Sequence, residues 1–266
     1  LAQMAADGLG CDMDNIIVRG VDTDQSPYDS GSYASSTTYV TGGAVVKACE
    51  SMRKRICEEA AAIMGLKSGE VDFDGETISE NDNPEHSMTL SDLITSLEAG
   101  NGRIIEVTES HTSPVSPPPF MAGAAEIEVD LETGKITPIN YVAAVDCGTV
   151  INTNLARIQT EGGIVQGMGM TLYEDVQYTE AGKMKNRNFM SYKIPTRLDM
   201  GSISVEFESS YEQTGPYGAK SIGEIVINTP APAIADAVYN ATGLRFRTLP
   251  ITAEQVMMGL LEREEA

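Results

Sequence analysis

Glu224 is the only acid in the apolar run at residues 215–227, GPYGAKSIGEIVI. A carboxylate flanked by Ile222, Ile225 and Val226 risks desolvation, which raises its pKa towards that of a useful general base. Taken alone, the run favours a plainer reading, a strand whose single acid faces solvent. A second stretch, residues 31–38 (GSYASSTT), consists almost wholly of small or hydroxylic residues. Its backbone N–H and O–H donors could hold an anion, although Ser/Thr loops without a ligand are common. A third stretch, residues 161–169 (EGGIVQGMG), puts four glycines into a helical pattern, each costing about 1 kcal/mol against Ala. Close helix packing or close approach of a ligand would each require them, and spacing does not decide. Neither the G-x-G-x-x-G nor the Walker pattern is present. A fourth stretch, residues 145–152 (VDCGTVIN), reads as a strand end entering a buried polar turn, with Cys147 as a small core residue.

The surroundings of these stretches exclude several functions. The 266 residues carry 18 basic and 39 acidic side chains, a net charge of −21. Such a surface repels nucleic acid and anionic lipid, so neither is expected as a partner. No apolar run approaches the length of a membrane span, and no secretory signal is visible. Cys11, Cys49, Cys57 and Cys147 lack C-x-x-C spacing, which argues against a zinc site or an iron–sulfur cluster in this chain. Reduced thiols in a cytoplasmic protein are expected. His86 and His111 lie in polar or Pro-rich stretches, which argues against a His-based metal site or triad. The chain opens on Leu1 in a helix-like run and reads as a fragment or a processed piece.

The elements that must position these residues form a mixed pattern. Residues 1–9 read as a helix tail and 15–21 (NIIVRGV) as a strand. Residues 22–43 form a long polar stretch of the kind that often carries function. A helix is expected over 44–64, with Val45, Cys49, Met52, Ile56, Ala60 and Ile63 on one face and Gly65 as its C-cap. Asp74-Gly75 marks a hairpin within 70–78, and Thr89 opens a helix through Leu97 with Gly100 after it. The Pro-rich stretch 113–119 is the candidate boundary between subdomains 1–112 and 120–266. Strands at 126–131 and 136–144 flank a turn with Gly134. A Gly-rich helix over 155–173 and a strand over 202–208 come next. Thr229, Pro230 and Gly243 bound one more helix, and Thr252 with Gln255 opens the last through a capping box. Strands and helices mix without βαβ alternation, so the fold class is α+β.

At the four stretches the sequence resembles the molybdopterin-binding large subunit of the xanthine dehydrogenase and aldehyde oxidoreductase family, the molybdenum hydroxylases. The likeness rests on SPPPFMAGAAEIEVDLETGKI, VDCGTVINTNLARIQTEGGIVQGMGMTLYED, FMSYKIPTRLDM and GAKSIGEIVINTPAPAIADAVYNATG, and it runs almost end to end. It implies that residues 1–266 form the C-terminal half of that molybdopterin-binding domain, with mixed sheets and packed helices. The family's Gly-Gln-Gly segment and preceding half would lie ahead of Leu1, so the chain is cut or the subunit is split. A split is similar to the medium molybdopterin subunit of the nicotinate dehydrogenases.

The resemblance assigns roles by motif. Glu224 falls on the catalytic glutamate and Gly223 on the glycine beside it. Ala34, Ser35, Ser36 and Thr37 fall on the loop beside the molybdenum centre and the cofactor phosphates, and Gln166 falls near the pterin. No side chain is expected to ligate the metal. The implied reaction is hydroxylation of an electron-poor carbon of a nicotinate- or purine-like N-heteroaromatic compound, with water as oxygen source and Glu224 as general base. Aldehyde oxidation and a non-catalytic pterin-binding fragment are the alternatives. The implied cofactor is molybdopterin, in its cytosine dinucleotide form, with molybdenum. The implied partners are a second molybdopterin-binding chain, a [2Fe–2S] subunit and an FAD subunit.

Overall fold

A computed structural model describes residues 1–20, 22–24 and 26–264. Val21, at the end of the expected first strand, and Gln25, within the polar stretch, lie outside the described residues, as do Glu265 and Ala266. The chain divides into two units: Leu1–Ser116 with Gln213–Tyr217, and Pro117–Glu212 with Gly218–Ala266.

In the first unit, α1 (Ala2–Leu9) stops at Gly10, whose φ of 76° suits a residue without Cβ. The expected strand after it is absent: a short turn covers Met13–Asn15, and Ile16–Gly20 pair with nothing as a strand. Ile17 is 81% exposed there. An apolar run becomes a strand only where a partner edge takes up its N–H and C=O groups. Helix α2 (Gly42–Met64) buries Cys49, Ile56, Ala60 and Ala61 and ends at left-handed Gly65. Ile63, placed on that face by spacing, is exposed near the helix end. Strands β1 (Val71–Phe73), β2 (Thr77–Glu80) and β3 (Asn83–Thr89) form an antiparallel sheet in that order. The Asp74-Gly75 turn joins the first two as expected, with Gly75 at φ 112°. Helix α3 (Leu90–Asn101) begins with a capping box between Thr89 and Asp92. It continues through Gly100 and ends at Gly102, whose N–H donates to Glu98 O at 3.0 Å, so the sequence placed this end too early. Ile56, Phe73, Ile78, Leu93 and Leu97 fill the core of this unit.

In the second unit, β4 (Phe120–Val129) runs antiparallel to β5 (Ile136–Asp146), and β6 (Ser202–Phe207) runs parallel to β5 on its other side. The ladder places Phe120 opposite Asp146. Helices α4 (Thr153–Leu172), α5 (Pro230–Thr242) and α6 (Ala253–Glu264) complete it. Asn152 caps α4, its Oδ1 accepting from Leu155 N at 2.9 Å. The Thr252–Gln255 box opens α6, with bonds of 2.9 and 3.2 Å. Thr229 stands at the start of α5 without capping it. Its hydroxyl accepts instead from Tyr141 OH at 2.8 Å, which ties α5 to the sheet. Tyr141, Val145, Ile164, Met168, Ile234 and Val238 are among the fully buried side chains of the core. The result is the α+β mixture that the sequence implies.

Candidate functional site

The Ser/Thr stretch belongs to the first unit and is built on left-handed backbone. Gly31, Ala34 and Ser35 have φ of 97°, 49° and 58°. Non-glycine residues with positive φ are uncommon and mark constrained turns, often at functional sites. Consecutive residues that alternate between left- and right-handed conformation turn their N–H groups to one side, as in an anion nest. Ala34 is exposed; Ser35, Ser36 and Thr37 are half-buried. The Ser32 and Thr37 hydroxyls bond each other, and Gly31 N donates to Asp29 Oδ1 at 2.7 Å. One turn of wider helix, Thr37–Thr41, leads directly into the 23-residue α2. No acidic side chain interrupts residues 31–41. Hydroxyls and N–H groups at the start of a long helix are the donor set that a phosphate needs.

In the second unit, α4 has two different faces. Thr160, Gly163, Ile164, Gly167, Met168 and Thr171 are buried. Gly162, Gln166 and Met170 are exposed, four residues apart along the other face. The glycines separate accordingly. A Cβ on Gly163 would overlap the Val226 side chain, and one on Gly167 would meet Pro230 Cγ at 2.7 Å and Ile227 O at 2.9 Å. A Cβ on Gly169 would meet Glu174 and Pro195. Of the two readings that spacing left open for these glycines, close packing holds for three, whose open side is filled by protein. Beside Gly162 alone there is open space, on the same face as Gln166.

The expected strand around Glu224 is a turn. Glu224 precedes the short helical turn Ile225–Ile227, and Gly223 lies half-buried just before it. Val226 is fully buried on Gly163, whereas Glu224 is exposed. Val226 thus turns into the core, Ile222 and Ile225 are half-buried, and the acid stands at the surface, as in the plainer of the two sequence readings, although on a turn and not on a strand. The contact of this turn with α4 places Gln166 and Glu224 on two elements packed against each other.

A polar cluster links this region to the end of β5. Lys220 is 8% exposed, and its Nζ lies 2.7 Å from Asp146 Oδ2. Asp146 Oδ1 accepts from Gly148 N at 3.0 Å and from Ser210 Oγ at 2.5 Å. Burial pushes the Asp146 carboxyl up, but these bonds and the lysine charge outweigh it and hold the group below the usual carboxylate range. Burial and the adjacent Asp146 push the Cys147 thiol up, which suits a core residue and not a nucleophile. The sequence names Asp146 and Lys220 in separate stretches; with the two 74 positions apart, no local signal pairs them. Among the described residues no cluster of His, Cys, Asp or Glu could hold a metal ion, and no helix is long and apolar enough to cross a membrane.

The sequence profile of the molybdopterin cofactor-binding domain matches residues 1–201. The chain is 32% identical over 98% of its length to a probable hypoxanthine oxidase, XdhD, of Escherichia coli (strain K12), and it covers 27% of that protein. It is 28% identical over 97% of its length to the nicotine 6-hydroxylase large subunit of Paenarthrobacter nicotinovorans, covering 33% of it. The crystal structure of quinoline 2-oxidoreductase from Pseudomonas putida 86 superimposes with a TM-score of 0.82 at 26% identity, over 98% of this chain and 34% of that one. The chain therefore spans about a third or less of the proteins it matches.

Proposed function

The chain belongs to the molybdopterin cofactor-binding domain family, in the xanthine dehydrogenase and aldehyde oxidoreductase group of molybdenum hydroxylases, and from that premise we propose that it is the part of such an enzyme that carries the catalytic base. The substrate we infer is an N-heteroaromatic compound hydroxylated at an electron-poor carbon. Hypoxanthine, nicotine and quinoline, which the names of three of the matched proteins specify, all contain a nitrogen heterocycle, and this supports the inference; other matched proteins are named for carbon monoxide or aldehydes.

When bound, the molybdenum–pterin group supplies the Lewis acid and the electron acceptor that hydroxylation by water requires. Each unit by itself carries residues that fit part of such a group: the first a hydroxyl-rich loop at a helix start, the second an exposed glutamine beside an open glycine. Ser35, Ser36 and Thr37 would hold its phosphate with Ala34 in the loop, and Gln166 would bond the pterin. The cytosine dinucleotide form is the one proposed. Glu224 accepts the proton from water as that water attacks, and Gly223 leaves space beside it. Electrons must leave the chain, since its cysteines form no cluster-binding pattern. The proposed partners are accordingly a second molybdopterin-binding chain, a [2Fe–2S] subunit and an FAD subunit, assembled in the cytoplasm.

The observation that carries this reading is a carboxylate held at the surface by a turn whose next-but-one residue is locked onto α4. The test is to purify the chain with its associated polypeptides, measure molybdenum, and add nicotinate or hypoxanthine without oxygen. Stoichiometric molybdenum and bleaching of the flavin and iron–sulfur absorbance are expected, with neither in the chain purified alone. A complex without molybdenum, or stoichiometric molybdenum in the chain alone, would contradict the reading.

A further inference from the structure

We propose that Lys220, through its ion pair with Asp146, is a positioning residue that fixes where Glu224 stands; this rests on the reading of Glu224 as the base. Three stretches of the second unit converge on the Lys220 side chain or its partner. One is the end of β5, where Asp146 receives the ammonium at 2.7 Å. Another comes after β6, where Ser210 donates to the same carboxylate and Glu208 N donates to Val145 O at 2.9 Å. The third is Lys220's own stretch, whose N–H donates to Cys147 O at 2.7 Å, while Thr149 N donates to Gly218 O at 2.8 Å. The Phe120 ring lies 5.4 Å from the ammonium.

A turn at this place does not need a cation. Ser210 and the Gly148 amide already supply Asp146 with neutral donors, and a buried ion pair is often no more stabilising than apolar side chains of the same size. Its better attested use is to fix register. The segment C-terminal to Lys220 is the one that needs a fixed register. Ser221, Ile222 and Gly223 belong to no helix or strand and lead directly to Glu224. Two residues later Val226 is locked onto Gly163. Glu224 thus lies between two anchors six residues apart, one ionic and one apolar, with Ile222 packed on the core between them. With the ionic anchor gone, the backbone bonds at 218–220 remain, but residues 221–224 lose the side-chain tie that sets their register, and a misplacement near 1 Å can lower a rate by about 10²-fold.

Lys220→Met alone would leave the half-buried Asp146 without its cation, so the informative variant is Lys220→Met combined with Asp146→Asn in the assembled, molybdenum-loaded complex. Two quantities are measured: hydrogen exchange of peptides covering residues 221–228, with α6 as internal control, and the rate constant for reduction by an N-heteroaromatic substrate. Faster exchange at 221–228 with α6 unchanged, a roughly 10²-fold slower reduction at unchanged substrate affinity, and, when the neutral pair is combined with Glu224→Gln, no loss beyond that of Glu224→Gln alone are expected. Lys220→Arg, which keeps the cation, should restore both readouts to within a few-fold of wild type. Unchanged exchange in the neutral pair overturns the proposal, as does a loss that multiplies with that of Glu224→Gln. A Glu224→Gln complex that is reduced at the wild-type rate would sink the base reading instead; the exchange of residues 221–228 would still uphold or overturn the anchoring on its own.

Discussion

Replacing Gly163 by Ala should destabilise the chain, whereas the same change at Gly162 should not. Both glycines lie inside α4, so each substitution gains the same helix preference, about 1 kcal/mol. They differ in what a methyl would meet. Beside Gly162 there is nothing within 4 Å. Beside Gly163 a methyl would sit inside van der Waals contact with Val226 Cγ2 and 3.1 Å from its Cβ. Val226 has no exposed surface into which to move, and a β-branched side chain has few rotamers to escape to. Overpacking of this kind costs about 1–3 kcal/mol. Because the helix preference cancels between the two variants, that range is the expected stability difference between them. For a chain of this size it corresponds to roughly 3–10 °C in melting temperature. Thermal unfolding tracked by circular dichroism at 222 nm would measure it. Adding Val226→Ala to Gly163→Ala should recover part of the loss, because the new methyl occupies space that the valine gave up, and a double-mutant cycle would give the coupling. If Gly163→Ala melts at or above Gly162→Ala, the seating of the Ile225–Ile227 turn on α4 is wrong, and with it the way Glu224 is held.

Other consequences are open to test. Ser36→Asp puts a like charge where the cofactor phosphate is proposed to bind. Each charge-assisted bond lost costs about 1.5–3 kcal/mol, so the assembled complex should retain little molybdenum while the circular dichroism spectrum is preserved; full retention would show the loop to be structural only. His111 packs on Gly43, and its Nδ1 is buried without a hydrogen-bond partner among the described residues. Burial, with Lys47 nearby, pushes its imidazole down. A folded pKa below that of the unfolded chain, about 6.5, means that protons favour unfolding. Melting temperature should therefore decline as pH drops below that value, and His111→Gln should flatten the decline; an identical slope in the variant would exclude His111 as its source.

Much of the scaffold was legible in the residues themselves. Helices with a periodic face and explicit caps, such as α2 with Gly65 and α6 with Thr252 and Gln255, stand where spacing put them, because those signals are local. Strand β3 carried no such signal: Asn83–Thr89 contains Pro84 and is exposed at nearly every position, so no alternation marks it. The stretch at 15–20 has the composition of a strand but no edge to pair with, and pairing is a property of the fold. The sequence took Gly100 as the stop of α3; the backbone geometry puts the stop at Gly102. The candidate site divides in the same way. Residue types marked the Ser/Thr loop, the Gly-rich helix and Glu224. That Val226 fills the space over Gly163, and that Asp146 reaches Lys220, depend on contacts between elements 63 and 74 residues apart in sequence, where composition is silent.

The most direct test of Glu224 as the base is Glu224→Gln in the assembled, molybdenum-loaded complex, mixed rapidly with substrate in the absence of oxygen. The substitution keeps the size of the side chain and removes its ability to take a proton. The variant should assemble, retain molybdenum and show wild-type flavin and iron–sulfur spectra, while its reduction by substrate slows by about 10²–10⁴-fold. Reduction at close to the wild-type rate would place the base elsewhere.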